Sequence, residues 1–279
     1  MIERSAGKER WLGVRALIQL MAAFGVSEAA VRQALSRMAR QGWLDTTKRG
    51  NRAYYAVTSR GRRRIEELSP RIYGPVVEWD GLWRVLSYTI DEGHRERRDR
   101  LRKELSVLGW APLAASTWIS PADSLRAARA AAEGAGVAGA VHFFAAEYRG
   151  PLSDRELLHA CWDIEAIAAA YRDFIERYEP RVARIRSADG AIDEERAFVD
   201  RLWLVHDYRK FAYLDPGLPS ELLPAHWPGT RAAALFREYH AALLGPSTRY
   251  FRRCVDAAGA ADGPVGARVE PATPCPKSP

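Results

Sequence analysis

Residues 28–41 follow a strict helical period, and this segment constrains the fold more than any other. Ser27 suits the N-cap position of a helix, and Gly42 suits its C-terminal end. The apolar positions follow the i, i+3, i+4, i+7 spacing of one helix face: Val31, Ala34, Leu35 and Met38. The spacing therefore predicts a helix over 28–41 whose apolar side packs in a core.

The other side of this predicted helix offers guanidinium, amide and hydroxyl groups and no acid. Its residues are Ala29, Arg32, Gln33, Ser36, Arg37 and Arg40. Arginine pairs with guanine, glutamine with adenine, and serine with a base or a phosphate, so this face is typical of a helix that enters the major groove of DNA. We expect Ser27 to lie at the same interface. A basic helix that packs on a partner, or is only solvated, is the alternative.

A short basic turn follows the helix. The polar residues around Gly50-Asn51 separate two apolar runs, which predicts a β-hairpin. Lys48, Arg49 and Arg52 on that hairpin would contact flanking phosphates or the minor groove. Another apolar helical stripe lies upstream, over residues 9–22. The order of elements predicts a winged helix-turn-helix domain over residues 1–70.

Positive charge is concentrated in the same part of the chain. The formal net charge is +7, but residues 1–70 contain 14 Lys and Arg against 6 Asp and Glu, a net of +8, whereas the other residues sum to −1. This asymmetry favours an anionic polymer or surface as the partner of the first quarter of the chain. A basic but merely solvated face is the other interpretation.

The rest of the chain predicts two further domains and a tail. Residues 78–150 read as strand, helix, extended stretch, helix and strand, and the stretch 111–119 must split into two strands to give a ferredoxin-like βαββαβ domain. Residues 151–256 are almost wholly helical in pattern, with separate helices over 230–244 and 246–256. Residues 257–279 have the composition of a disordered tail. The predicted fold class is α+β.

Several classes of protein are disfavoured by the sequence. Apolar runs are too short for a membrane span, and we expect a soluble, cytoplasmic protein. Three scattered cysteines predict free thiols rather than disulfides or a metal site. The string GAGVAG at 134–139 follows a predicted helix and precedes a predicted strand, the reverse of a dinucleotide fingerprint. Because no catalytic constellation is recognisable, we predict a protein that is not an enzyme, with no metal and no cofactor.

Four stretches of this sequence resemble the PaaX-type repressors of phenylacetic acid catabolism. They read AVRQALSRMARQGWL with AYYAVTSRGRR, WRVLSYTIDE with LRKELSVLGWAPLAASTWISP, CWDIEAIAAAYRDFIERY, and LVHDYRKFAYLDPGLPSELLPAHWPGTRAAALFREYH. The resemblance as a whole spans roughly residues 9–250. The last string, with WDI upstream, makes the resemblance specific.

The resemblance implies a homodimeric repressor that binds double-stranded operator DNA, has no contact with a membrane, and is released by an aryl-CoA thioester, typically phenylacetyl-CoA. Members of this family usually carry a further helix before the segment that matches Trp11–Met21. Their central domain resembles a small nuclease of CRISPR adaptation that places an aspartate near the end of its first strand. This sequence has Tyr88-Thr89-Ile90 there, so we hypothesise that it has no nuclease activity.

Residues for the effector are chosen on composition alone. His206, Arg209 and Lys210 lie beside the aromatic residues Phe211 and Tyr213, and cations next to aromatic rings suit the phosphates and the aryl group of a CoA thioester. Two other functions stay open at this point. One is a protein that binds nucleic acid without sequence preference, and the other is an enzyme acting on CoA esters or nucleotides that uses its basic N-terminus as an anchor.

Overall fold

The computed structural model of the protein describes residues 11–73, 78–187 and 192–260 and is a mixed α+β structure. Its residues divide into two compact units. The first unit combines residues up to 68 with residues 184–205 and those from 238 onward. The second combines residues 69–183 with residues 206–237. The boundaries of the three domains predicted from the sequence remain a prediction, which is separate from this division into two units.

The first unit begins with a small sheet and three helices. Its elements are β1 (Leu12–Gly13), α1 (Val14–Ala22), α2 (Glu28–Arg40), β2 (Leu44–Arg49), β3 (Arg52–Val57) and α3 (Ser59–Tyr73), of which residues up to 68 belong to this unit. The sheet is antiparallel with the order β1-β3-β2. The sequence prediction placed a helix from residue 9, whereas the helix begins at Val14 because Leu12 and Gly13 pair with Tyr55 and Tyr54 in β3.

Apolar residues of α1, α2 and the sheet form a local core around Val14, Val31 and Leu35. Three of the four positions predicted to face the core of α2 do so at least in part, since Val31 and Leu35 are buried and Ala34 is half-buried. Met38 is the exception, with 40% of its surface exposed. It lies in the last turn of α2, so we attribute its exposure to the position of the helix end, where the core no longer covers it.

The predicted hairpin is confirmed as β2 and β3, which pair from Leu44 opposite Val57 to Arg49 opposite Arg52. Gly50 and Asn51 form its two-residue turn. Gly50 has a φ of 58°, which glycine adopts without the steric penalty of a side chain. The strands therefore bring Arg49 and Arg52 opposite each other at the tip.

Three helical segments complete the first unit. These are the end of α7 (Ile164–Ser187) from residue 184, the part of α8 (Glu194–Tyr208) up to residue 205, and the part of α10 (Pro228–Ala260) from residue 238. Leu20 of α1 packs against Phe198, Tyr250 and Cys254 from these helices. The N-terminal elements thus share a core with residues about 180 to 230 positions later in the chain.

The helix α10 corrects two predictions. It is continuous, whereas the sequence predicted a break between 230–244 and 246–256, and it reaches Ala260, beyond the predicted start of the tail at residue 257. Pro246 lies within it, and Leu243 and Tyr250, one turn to either side, are buried. Their packing stabilises the helix across the proline, which local propensity does not take into account. The rest of the predicted tail lies outside the described residues.

The second unit contains a four-stranded antiparallel sheet in the order β5-β6-β4-β7. Its elements are β4 (Trp83–Tyr88), α4 (Arg95–Val107), β5 (Ala111–Ala114), β6 (Thr117–Ser120), α5 (Leu125–Gly134) and β7 (Val141–Ala146). The predicted division of 111–119 into two strands is confirmed by β5 and β6. Leu86, Leu101, Leu105 and Trp118 form the centre of the core between the sheet and its two helices.

Helices form the remainder of this unit. They are α6 (Asp154–Cys161), α7 up to residue 183, the end of α8, α9 (Phe211–Leu214) and the start of α10. Aromatic rings stack between them: Tyr171 on Phe211 and Tyr208 on Phe236, each with 4.0 Å between ring centroids. The Tyr171 hydroxyl donates to Asp215 at 2.7 Å, which ties the proline-rich loop after α9 to α7.

Candidate nucleic-acid interface

The helix α2 presents its polar side to solvent. Ser27 caps it, because its Oγ accepts from the Ala30 N–H at 3.3 Å. The exposed residues on this helix include every one predicted to contact DNA: Ala29, Arg32, Gln33, Ser36, Arg37 and Arg40. Among the described residues, no carboxylate pairs with Arg37 or Arg40. The geometry therefore leaves two guanidinium groups available to an external partner.

Arg32 differs from the other arginines of this face because it has a carboxylate partner. Its Nε donates to Oε1 of Glu28 at 2.8 Å, and its Nη2 lies 2.7 Å from the same oxygen. Both side chains are about half exposed. The helical pattern predicted a face without an acid, but Glu28 lies at its border, one turn before Arg32. The i, i+4 spacing of glutamate and arginine was the available signal.

The hairpin places its cations at the tip. Lys48 and Arg49 are exposed, whereas Arg52 is half-buried. The guanidinium of Arg49 lies over the ring of Tyr54, 5.4 Å from its centroid. This contact restrains Arg49 without neutralising it. Together, α2 and the hairpin form a cationic surface within the first unit.

The start of α3 fixes the end of α2. Arg60 stacks over the ring of Trp43, 4.5 Å from its centroid, and its Nη1 donates to the Gln41 carbonyl at 3.3 Å. The Thr58 hydroxyl donates to the Gly42 carbonyl at 2.9 Å. Carbonyls at the C-terminus of a helix lack hydrogen-bond donors within the helix. The Arg60 guanidinium and the Thr58 hydroxyl supply donors to two carbonyls at the end of α2. Residue spacing gave no sign of this role of Arg60.

The second unit contains a cleft of about 340 Å³. Its walls come from the end of α4 with β5, the junction of α6 and α7, and α9 with the residues after it, and they include Trp110, Cys161, Trp162, Tyr213 and Leu214. A β-carbon on Gly109 in this wall would collide with Pro216, so glycine is required there. Burial raises the pKa of the Cys161 thiol, which disfavours the thiolate. The cleft is lined mainly by neutral side chains, among them three aromatic rings, and Asp163 adds a carboxylate to its wall.

The predicted effector residues lie near α9 but outside the walls of the cleft. His206, Arg209 and Lys210 are exposed. The Lys210 ammonium lies 5.1 Å from the centroid of the Phe211 ring. The structure therefore does not bring the three residues together in one cavity among the described parts of the chain.

Two general features of the described residues bear on partners. No helix in these parts of the chain is long and apolar enough to cross a membrane. In the same ranges, no three His, Cys, Asp or Glu side chains come together in a way that could hold a metal ion.

Comparison with known proteins finds matches along most of the chain. Residues 4–61 match the family described as PaaX-like protein, residues 76–158 match the PaaX protein central Cas2-like domain, and residues 162–253 match the PaaX-like protein C-terminal domain. The chain is 36% identical over 234 residues to the transcriptional repressor PaaX of Escherichia coli (strain K12), which covers 82% of this chain and 72% of that protein.

A solved structure shares the fold. The uncharacterized protein Rv0674 from Mycobacterium tuberculosis superposes with a TM-score of 0.55 at 24% identity, over 88% of this chain and 91% of that one. The fold is α+β with a Cas2-like centre and a helical C-terminal part. This chain belongs to the PaaX family, as the sequence resemblance predicted.

Proposed function

We propose that the protein is a transcriptional repressor of a catabolic operon of the phenylacetate type, which binds its operator with sequence preference. The observation that carries the proposal is the exposed face of α2, where Gln33, Ser36, Arg37 and Arg40 face solvent. The repressor identity of the E. coli relative supports it. That relative is not an enzyme by name, which also supports our prediction that this chain is not one.

We infer a winged helix-turn-helix for the N-terminal elements and a ferredoxin-like arrangement for the central ones. The order β1-α1-α2-β2-β3-α3 and the hairpin beside α2 support the first inference. The order βαββαβ with strands arranged β5-β6-β4-β7 supports the second. In this arrangement α2 would enter the major groove while Lys48, Arg49 and Arg52 contact the flanking backbone.

The repressor would act as a homodimer, and its two-fold symmetry predicts a roughly palindromic operator with half-sites one or two helical turns apart. An aryl-CoA thioester such as phenylacetyl-CoA would release the DNA. To do so, the effector must have a higher affinity for the conformation that cannot bind DNA than for the one that can. The difference must be several kcal/mol for a near-complete switch.

The cleft beside α9 is a suitable receptor for the aryl group of this effector. Its volume of about 340 Å³ and its aromatic walls are typical of small-molecule sites. His206, Arg209 and Lys210 are exposed and lie just before α9 in the sequence. We place the phosphates of the CoA part on these three residues. A rise in melting temperature with CoA thioesters, absent with free CoA, would support this assignment.

Gel shifts against the DNA upstream of the protein's own gene test the main proposal. They should be run at two salt concentrations with random duplex as competitor. Retention of the upstream fragment against excess competitor is the expected result. Equal competition by random DNA would instead indicate a nucleic-acid-binding protein without sequence preference. If no DNA is shifted, the remaining alternative is an enzyme that acts on CoA esters or nucleotides and uses its basic N-terminus as an anchor.

A further inference from the structure

Glu28 is an acid at the edge of a surface that is otherwise cationic. It is the first residue of α2, and 58% of its side-chain surface is exposed. A carboxylate at this position repels the phosphates of any duplex that approaches α2. It therefore weakens binding to all DNA unless it makes a contact that only some sequences offer.

The two carboxylate oxygens of Glu28 have different contacts. Oε1 accepts from Arg32 Nε at 2.8 Å and lies 2.7 Å from Arg32 Nη2, so it holds the guanidinium from one side. Among the described residues, Oε2 makes no hydrogen bond. The outer N–H groups of Arg32 likewise point to no acceptor in the described chain. One fixed guanidinium and one open carboxylate oxygen therefore lie side by side on the exposed helix.

These two groups complement different base edges. Arginine donates two hydrogen bonds to O6 and N7 of guanine, and a carboxylate accepts from the N4 amino group of cytosine. A guanidinium held by a neighbouring carboxylate loses less rotational freedom when it binds. Phosphate, which has only acceptors, can use Arg32 but is repelled by Glu28.

We propose that Glu28 is a specificity-determining residue of the DNA interface. It orients Arg32 toward guanine, accepts from an exocyclic amine of an adjacent base through Oε2, and disfavours contacts in which Arg32 binds only phosphate. This inference rests on the proposed function. It assigns to Glu28 a role distinct from the small helix stabilisation that an i, i+4 ion pair provides on its own.

The test compares Glu28→Gln with Asp45→Asn in the full chain. Asp45 is an exposed acid on β2 of the same unit, so this control removes the same charge from the same region. Dissociation constants are measured by fluorescence anisotropy on the operator, on a random duplex, and on operators with single base-pair changes. Thermal unfolding of each variant checks that α2 is intact, and Glu28→Asp provides a second variant that keeps the charge.

We expect Glu28→Gln to bind random DNA more tightly than the wild-type protein does. The dissociation constant on random duplex divided by that on the operator should therefore fall at least tenfold. Asp45→Asn should keep the ratio within twofold. In the base-pair series, Glu28→Gln and Arg32→Ala should lose preference at the same or adjacent positions, which a purely structural role would not produce.

An unchanged ratio in Glu28→Gln, or an equal fall in both variants, would overturn the inference while leaving the repressor intact. Failure of the wild-type protein to prefer its operator would overturn the proposed function itself, and the inference with it. The two failures are therefore distinguishable in one series of measurements.

Discussion

The arginines of α2 and those of the C-terminal helices have different surroundings. Arg186 on α7 makes a two-pronged contact with Glu238, with Nε donating to Oε1 at 2.6 Å and Nη2 to Oε2 at 2.5 Å. Arg177 donates to Asp207 at 2.8 Å, and Arg231 pairs with Glu179. On α2, Arg37 and Arg40 have no such partner among the described residues. These paired arginines satisfy their charge within the fold, as Arg32 of α2 does with Glu28, whereas Arg37 and Arg40 leave theirs available to a partner from outside.

The largest effect is expected from Arg37→Ala. Removal of this guanidinium should weaken operator binding by about 1–3 kcal/mol and relax base preference, because a base-edge contact is lost. Titration of labelled operator measures the loss. Arg186→Ala is the matched control, and its dissociation constant should stay within twofold of wild type. If both variants bind equally, the distinction between the two groups of arginines is wrong.

Acid should destabilise the C-terminal region through His240. This imidazole accepts from Arg201 Nε at 3.2 Å, and burial, followed by the charge of Arg201, lowers its pKa from 6.5 to about 4. Between pH 6.5 and 4 the unfolded chain binds a proton that the folded chain does not, so stability is lost as pH falls through this window. The loss should be on the order of 2 kcal/mol, allowing for partial exposure.

Denaturant unfolding from pH 7 to pH 4 measures this dependence. His240→Gln should flatten the profile relative to that of the wild-type protein. An identical pH profile in wild type and His240→Gln would show that this pair does not set the acid sensitivity.

Lys48→Ala should give a smaller and uniform loss of affinity. We place this exposed ammonium on a phosphate, which carries no sequence information. Binding to operator and to random duplex should weaken by the same factor, and the slope of log K against log salt should flatten by about 1. A loss confined to the operator would instead place Lys48 on a base edge.

The smallest effect on stability is expected from Arg186→Ala. Its pair with Glu238 is about half exposed, so its removal should lower the free energy of unfolding by less than about 1 kcal/mol. Chemical denaturation at low and high salt tests this value. A much larger loss would mean that the paired arginines are central to the fold rather than accessory to it.

Much of the architecture could be predicted from the sequence because it is encoded by local period. The face of α2 and the hairpin at Gly50-Asn51 follow from residue spacing, whereas the division of 111–119 was required by the strand order of a ferredoxin-like domain. The contacts that need tertiary structure could not be predicted in this way. Arg60 reaches Gln41 across 19 positions, and α10 passes Pro246 because Leu243 and Tyr250 pack on either side. The cleft likewise combines residues from three distant segments.

Glu28 illustrates a different limit. Its distance of four residues from Arg32 was visible in the sequence, but only the structure shows the two side chains in contact. The predicted DNA-binding and effector residues stay predictions, since their assignment depends on a partner outside the chain.

Site-specific photocrosslinking tests the central claim most directly. Benzoylphenylalanine at Gln33, on the exposed face of α2, and at Glu176, an exposed position of α7, gives a matched pair of full-length probes. On irradiation with bound operator, the probe at 33 should crosslink to bases inside the half-site, and the probe at 176 should not crosslink. Retained operator binding with no crosslink from position 33, or equal crosslinking from both positions, would contradict the assignment of α2 to the major groove.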